Sequence, residues 1–430
     1  MKIQIRQQPQ ENGSVLAGVL IISFMLGFML AAYLSLVSAQ HQSVTRSQVW
    51  NTCVPVMEAG VEEALAHLYQ TKGTNLVSNG WTATNAGCFK VRTVGEGSAL
   101  VIISNNGTFP VIYATANLRA PIRNNLLISR QIKVETRKDG LFAKGLVAKG
   151  QITLNGNNII VDSFDSADPS YSSNGLYVVS RRKDNGDVAT NSGLVNSLSS
   201  GNANIYGHVS TGPGGSVGIG NNGAIGDLAW QASGADGIQP GYFSDDMNVS
   251  FPDVALPFNT GFTPGNAAGY QYVIDSSGDY RVPGLTGSLL VKSNVQARLI
   301  VDTEINLTGQ DKIIIQPGAS LNLYMAGTVA KIGGNGVVNQ GGNATNFFYW
   351  GGTANTTLAV NGNGSFTGVI YAPNASFTMN GGGSSTLEDV TGASVSKTVQ
   401  MNGNFNFHYD ENLGRLDLNR GFIVTSWKEI

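Results

Sequence analysis

The chain has 430 residues, a formal net charge of −2, only 13% charged residues, 42% hydrophobic residues and 55 glycines. Such balanced charge gives no global electrostatic case for nucleic-acid binding. Disorder is excluded too, because disordered chains are rich in charge and poor in apolar residues.

A polar segment, 1–14, runs into an unbroken apolar stretch from Val15 to Ala39, 25 residues without a charge or a proline. At ~1.5 Å per residue it extends ~37 Å, enough to cross a ~30 Å hydrocarbon core with some tilt. Val15, Leu16, Leu20, Phe24, Phe28, Leu30 and Leu34 would face lipid as a membrane anchor. A cleaved secretory peptide ending near Ser35, Ser38 or Ala39 is the competing reading. Its apolar region would be only ~7–15 residues, and here the helical pattern continues past the run. The expectation is an uncleaved, single-pass anchor in the inner membrane. Lys2 and Arg6 precede the span and Arg46 follows it, a positive-inside bias that places the C-terminal bulk outside the cytoplasm.

Residues 40–72 read as an amphipathic continuation of the helix. Val54, Met57, Val61, Leu65 and Leu68 recur at helical steps, opposite Glu58, Glu62, Glu63 and His67. Pro55 should kink it, since proline removes a donor and crowds the preceding turn.

These residues carry a family resemblance. GSVLAGVLIISFMLGFMLAAYLSLVSAQ followed by NTCVPVMEAGVEEALAHL resembles the PilX-type N-terminal region of bacterial type IV pilus-assembly proteins. The resemblance implies a minor pilin-like subunit, membrane-bound before assembly, with other pilin-like subunits as partners through the helix. Gly13 would be the processing site. Major pilins carry a glutamate five residues into the mature helix, where this chain has Gly18. That departure fits a minor component better than the main filament subunit.

Cys53 on the helix and Cys88 in WTATNAGCFKVRTV are the only cysteines. In an oxidising compartment they would form a structural disulfide stapling helix to sheet, worth ~3–4 kcal/mol in the chain-entropy model. Two free thiols are the alternative. Residues 75–138 hold strand-like runs, among them CFKVRTV, ALVIISNN, PVIYATANL and LLISRQIKVETR. With the helix they suggest a pilin-type α+β head, an inference that leans on the resemblance as well as on the pattern. Arg119, Arg123, Arg130, Lys133, Arg137, Lys138, Lys144 and Lys149 form a basic run. From Asp184 to Tyr280 there are nine acids and no Lys or Arg. Each run is a solvated face, or else the basic one meets an acidic neighbour or an anionic membrane.

From about residue 141 the chain repeats short strands ending in Asn-Gly: QITLNGNN, LAVNGNGSFTG, SFTMNGGG, TVQMNGNFNF. Strands this short need stacked neighbours to bury a core, which points to a β-solenoid (β-helix) body over 141–410. Residues 313–386 hold a single charge, Lys331, as stacked rungs would. A β-sandwich is the alternative, because the spacing is irregular. Phe347-Phe348-Tyr349-Trp350 is read as a buried strand rather than a sugar platform, though surface glycans stay open as partners. Phe405, Phe407 and Tyr409 alternate with Asn404, Asn406 and His408, which leaves His408 outward. Residues 411–430, ending FIVTSWKEI, should cap the last rung. The strings GVIYAPNASFTMNGGG and TGASVSKTVQMNGNFNFHYDENLGR resemble a domain of unknown function in bacterial surface and pilus-assembly proteins.

For chemistry, Asp162, Asp165 and Asp168 could bind a hard cation such as Ca²⁺, the one cofactor suggested; ordinary Asp-Ser turn chemistry competes. Asp184 and Asp187 form a weaker acidic turn. A carbohydrate-active β-helix enzyme would need two carboxylates ~5–9.5 Å apart, with Asp245, Asp246, Asp253, Asp302 and Glu304 as candidates. With four histidines in all and no dense Asp/Lys/Arg cluster, the expectation is no enzyme. The whole reads as a mainly β protein on a long N-terminal helix, acting by assembly or adhesion at the cell surface. A membrane scaffold that never enters filaments is the alternative.

Overall fold

The computed structural model describes residues 14–71, 73, 75–104, 109–122, 126–156, 159–361, 366–380, 388–403, 405–416 and 418–430. Helix α1 (Ser14–Thr71) is 58 residues long and continues through Pro55. Among the described residues nothing packs on its first half: its most apolar window is 0% buried. The second half buries Cys53, Val56, Met57, Val61, Ala64 and Leu68. That stripe lies slightly round from the expected one, with Val54 and Leu65 only half-buried. Gly60 explains the offset, because a Cβ there would fall 2.6 Å from Val101 Cγ2. Strand Gly97–Ser104 therefore approaches the helix closely at Gly60.

The sheet under α1 starts with β1 (Thr82–Thr84), β2 (Gly87–Val94), β3 (Gly97–Ser104), β4 (Val111–Arg119) and β5 (Leu127–Gly140), antiparallel in chain order. Ala99, Val101, Ile103, Ile112, Ala114 and Ala116 alternate along β3 and β4 and face the helix core. A sixth strand, Asn419–Glu429, adds beside β5. The expected cap over 411–430 is therefore corrected. Phe422 buries in the core of this sheet, and Arg130 on β5 donates to both carboxylate oxygens of Glu429 at 2.8 and 2.7 Å. The open edge of β5 supplies the backbone partners for this strand.

The chain thus forms two compact units, 1–139 with 421–430, and 140–420. By connectivity the second is an insertion between the last two strands of the first.

Unit 140–420 is built from parallel ladders. One column runs Tyr280, Leu299, Leu323, Tyr349, Ile370, Ser394, Leu146, Val188, Val209 and Phe243. A second runs Leu289, Ile313, Val337, Phe366, Val390, Phe407, Val161, Ile205, Ile225 and Ile238. A third runs Ile305, Ala330, Leu358, Phe377, Val399, Ile152, Leu198 and Val217. Most of these side chains join one hydrophobic core. In every column the numbering jumps from about 400 back to about 150, so the late half of the chain is stacked directly on the early half.

The connection between the halves runs along the ladders. Val249 N donates to Asn191 at 3.1 Å, Pro252 O accepts from Tyr371 at 2.8 Å, and Val254 bridges Gly352. The Asn-Gly repeats align as well. Asn155 donates to Asn402, Asn402 to Asn380 and Asn380 to Asn361, at 3.4, 2.8 and 3.0 Å. The following glycine is needed for close approach: a Cβ on Gly156 would meet Gly403 O at 1.8 Å.

Candidate functional site: a bare helix, its base and a polar clasp

The seven residues expected to anchor the chain, Val15, Leu16, Leu20, Phe24, Phe28, Leu30 and Leu34, are all exposed, at 50–74% of their surface. Burying so much apolar area elsewhere is strongly favoured, at about 25 cal/mol per Å², and no protein surface in this unit does it. One N-terminal helix is therefore long and apolar enough to cross a membrane. Gly13 lies outside the described residues.

Where α1 meets its sheet, two hollows flank the helix. One, of about 480 Å³, is lined by Arg46, Ser47, Trp50 and the start of β5 from Leu126 to Ser129. The other, of about 560 Å³, lies between Thr45–Val56 and the β2–β3 and β4–β5 turns, with Glu96, Arg119 and Pro121. The guanidinium of Arg130 sits 4.7 Å over the Trp50 ring. None of these was singled out as a site in the sequence, apart from the basic residues.

The expected disulfide is absent: Cys53 and Cys88 are free thiols. Trp50 O, one turn before Cys53, accepts from Arg130 on β5 at 3.1 Å. Glu63, ten residues beyond Cys53, is the side chain that reaches β2, through Lys90 and Arg92 at 3.0 and 2.9 Å. Cys88 lies on β2, half-buried against the same apolar cluster that holds Cys53.

Asp162, Asp165 and Asp168 do not assemble as a cation site. Asp162 is fully buried, with Oδ1 2.5 Å from His408 Nδ1 and Oδ2 accepting from Tyr177 at 2.8 Å. Asp165 pairs with Arg415, and Asp168 accepts from Ser170 N at 2.8 Å as a turn residue. Among the described residues no group of three His, Cys, Asp or Glu could hold a metal ion.

What the first two of these acids build instead is a clasp. His408 is buried, not outward as expected, and the Tyr177 ring stacks on it at 3.6 Å. Strand Phe405–Asp410 is paired on both edges, with Glu388–Asn402 and Ile160–Phe164, and the Tyr177 ring covers the face that carries His408. Glu411 accepts from Ser163 at 2.9 Å and Asn185 at 2.8 Å, and pairs with Lys183. Asp410 accepts from Ser166 N at 3.1 Å. Every one of these contacts joins residues 162–185 to residues 408–415. Burial raises the Asp165 carboxyl, but the Arg415 guanidinium and the Ala167 amide outweigh it and hold the group below the usual range. Burial dominates at Asp410 and pushes its carboxyl up.

The remaining candidates are scattered. Asp187 pairs with Lys144 at 3.0 Å, Asp184 accepts from Leu228 N at 3.2 Å, and Asp302 pairs with Arg281 at 2.9 Å. Asp253 accepts from Asn374 at 2.8 Å, while Asp245, Asp246 and Glu304 are exposed. Of the aromatic run, Phe347, Phe348 and Tyr349 are buried and Trp350 is half-buried. The basic run divides between the units: Arg130 and Lys133 pair with Glu429 and Glu135, Lys144 and Lys149 with Asp187 and Asn374. Arg123 lies outside the described residues.

Comparison with known proteins adds the following. Residues 274–416 match the model of a family described as a domain of unknown function, DUF7305. None of the curated proteins matches the chain. Among solved structures, the competence-associated pilin ComZ from Thermus thermophilus aligns with 88% of this chain and 97% of its own, at 11% identity and a TM-score of 0.24. At that score the likeness carries no structural argument. The matched family segment spans the late half of the ladders and ends within the clasp, at residue 416.

Proposed function

We propose that this chain is a non-enzymatic, pilin-like protein held in the inner membrane by α1, with its two folded units outside the cytoplasm. The observation that carries this reading is the division of α1 itself. A bare apolar half continues without a break into a half packed on an antiparallel sheet. A helix of this kind can rest in lipid alone or pack among other such helices. The PilX-like sequence of its N-terminal region supports the second use, as a minor subunit with other pilin-like chains as partners. Three parallel columns of inward apolar residues support a solenoid for unit 140–420, presented for assembly or adhesion. A scaffold that stays in the membrane is the second reading.

Topology tests the proposal. A maleimide reagent that does not cross membranes should label a cysteine introduced at exposed Val195 in intact spheroplasts. The protein should also resist extraction at alkaline pH. Labelling only after lysis, or complete extraction, would refute the anchored, outward-facing reading.

A further inference from the structure

We propose that Lys149, Asn374 and Asp253 form a self-reacting site, where the lysine amine displaces ammonia from the asparagine carboxamide and leaves a covalent amide between the two halves of the inserted unit. Such a bond is a single self-modification rather than turnover, and it forms whether or not α1 lies in a membrane.

Three separate parts of the chain meet here. Lys149 comes from the early half, directly after strand Leu146–Ala148. Asn374 comes from the late half, in strand Phe366–Asn380, where the pairing register shifts between Ala372 and Ser376 as the strand passes from the first column to the third. Ser396 and Lys397 occupy the same corner of the rung between them. Ser396 pairs with Ala372 on one side and Ala148 on the other, and Lys149 N and Gly150 N donate to Ser396 O and Lys397 O at 3.0 and 2.7 Å. Two rungs at ~4.8 Å each thus separate the backbones, a gap that a lysine and an asparagine side chain span together. Asp253 belongs to the connection between the halves. It is held from both sides, by Tyr371, which donates to Pro252 O at 2.8 Å, and by the bridge from Val254 to Gly352.

The three groups are aligned for acyl transfer. Lys149 Nζ lies 3.2 Å from Asn374 Oδ1, and Asn374 Nδ2 donates to Asp253 Oδ1 at 2.8 Å. A carbonyl bond is about 1.2 Å long, so the amine is within about 4.5 Å of the carbon it attacks. A near-attack separation of about 3–3.5 Å is a small torsion away, and fixing the pair in this way raises its effective concentration far above that of free reactants. Among the described residues Lys149 makes no ion pair, so its amine is not tied up elsewhere. Asn374 is half-buried between fully buried Ala372 and Ala375, an apolar wall that limits competing water. In the reaction the ammonium first loses one proton to solvent. The amine lone pair then forms the Nζ–Cγ bond as the Cγ–Oδ1 double bond opens. Asp253 takes the second proton from Nζ and delivers it to Nδ2. The Cγ–Nδ2 bond breaks as the double bond re-forms, and ammonia leaves and recovers a proton from solvent past the exposed Asp253. An ammonium and a carboxamide become one secondary amide and one free ammonium, with no oxidant consumed. The new bond joins residues 225 apart in the chain.

Mass spectrometry of the full chain, purified from its native cells, tests the proposal. The mass should fall one ammonia, about 17 Da, below the value required by the sequence from its N-terminus. Succinimide formation at an Asn-Gly pair also loses ammonia, so the digest decides. Trypsin should yield residues 145–181, uncut after Lys149, joined to residues 332–397. Lys149→Arg keeps the positive charge and Asn374→Ala removes the acceptor carbon, and neither should give the joined fragment. Asp253→Asn still accepts from Nδ2 but cannot carry the proton. Its joined fraction, at a fixed time after synthesis, should fall at least about tenfold. Full mass, with residues 150–181 released on their own, would overturn the proposal and leave an ordinary hydrogen bond. Loss of ammonia without the joined fragment would place that loss at an Asn-Gly turn and overturn it equally. An unchanged joined fraction in D253N would overturn the role given to Asp253.

Discussion

The two units bury their cores in opposite ways. The sheet under α1 is assembled from β1 to β5 in chain order, with each strand beside its predecessor. Local pairing of this kind closes short loops and is reached early in folding. The inserted unit stacks strands some 250 residues apart, as where Phe407 meets Val161. Its first strands, Leu146–Ala148, Ile152–Leu154 and Ile160–Phe164, lack their neighbour on one side until residues 394–410 have been made. Contacts that are individually ordinary, a histidine on a carboxylate or an arginine on an aspartate, therefore acquire a specific task. They hold together two halves that share no short loop.

If that comparison is right, the clasp and the head sheet should fail separately. His408→Leu leaves Asp162 fully buried with Tyr177 as its remaining side-chain hydrogen bond, and should cost about 3 kcal/mol. Chemical denaturation followed by limited proteolysis should show residues 141–244 released while α1 and β1–β5 stay protected. Loss of both units together would contradict their independence. Phe422→Ala is the mirror experiment, with a loss of about 3 kcal/mol. It should loosen the terminal strand and the head, read as faster amide exchange in β5, and leave the ladders untouched.

A smaller effect with the opposite sign is expected at Asp410. Its folded pKa lies above the unfolded value of about 3.9. Its charge therefore opposes folding at neutral pH, and that opposition vanishes as pH falls below the unfolded pKa. Asp410→Asn keeps the Oδ1 acceptor for the Ser166 and Asn412 amides. The variant should gain about 1 kcal/mol at pH 7 and nothing at pH 3. Asp165 runs the other way: its folded pKa is depressed, so its stabilisation is present above about pH 3.9 and lost as pH falls further through the folded pKa. A D410N gain that persisted at pH 3 would show packing rather than charge at work. The smallest change belongs to the exposed asparagine ladder, where Asn380→Ala removes bonds to Asn361 and Asn402. About 0.5–1 kcal/mol is expected in thermal unfolding of the inserted unit, with no change in the head.

How much of this was legible beforehand depended on the range of the interaction. The apolar span and the buried stripe of α1 follow from periodicity, which is local, and so do β2 to β5. The Asn-Gly repeats announced stacked short strands, because the ladder of Asn155, Asn402, Asn380 and Asn361 repeats one residue from turn to turn. The splice at 407 and 161 left no local trace. Asp162, Asp165 and Asp168 looked like a cation loop because their partners, His408 and Arg415, lie about 250 residues away. His408 read as outward because alternation implies one solvated face, and that face is covered by Tyr177, which lies more than 200 residues away in the sequence. The terminal strand misled in the same manner: FIVTSWKEI is a good strand, and only the open edge of β5 decides which sheet receives it. Cys53 and Cys88 are free thiols, and counting cysteines carries no information on how they are placed.

The central claim is that α1 is the stem of a pilin-like subunit. The mature N-terminus, determined separately in sheared surface material and in membranes, tests it most directly. The account predicts a chain beginning after Gly13 and present in the sheared fraction. An intact Met1 confined to membranes, or a chain beginning near residue 40, would contradict it.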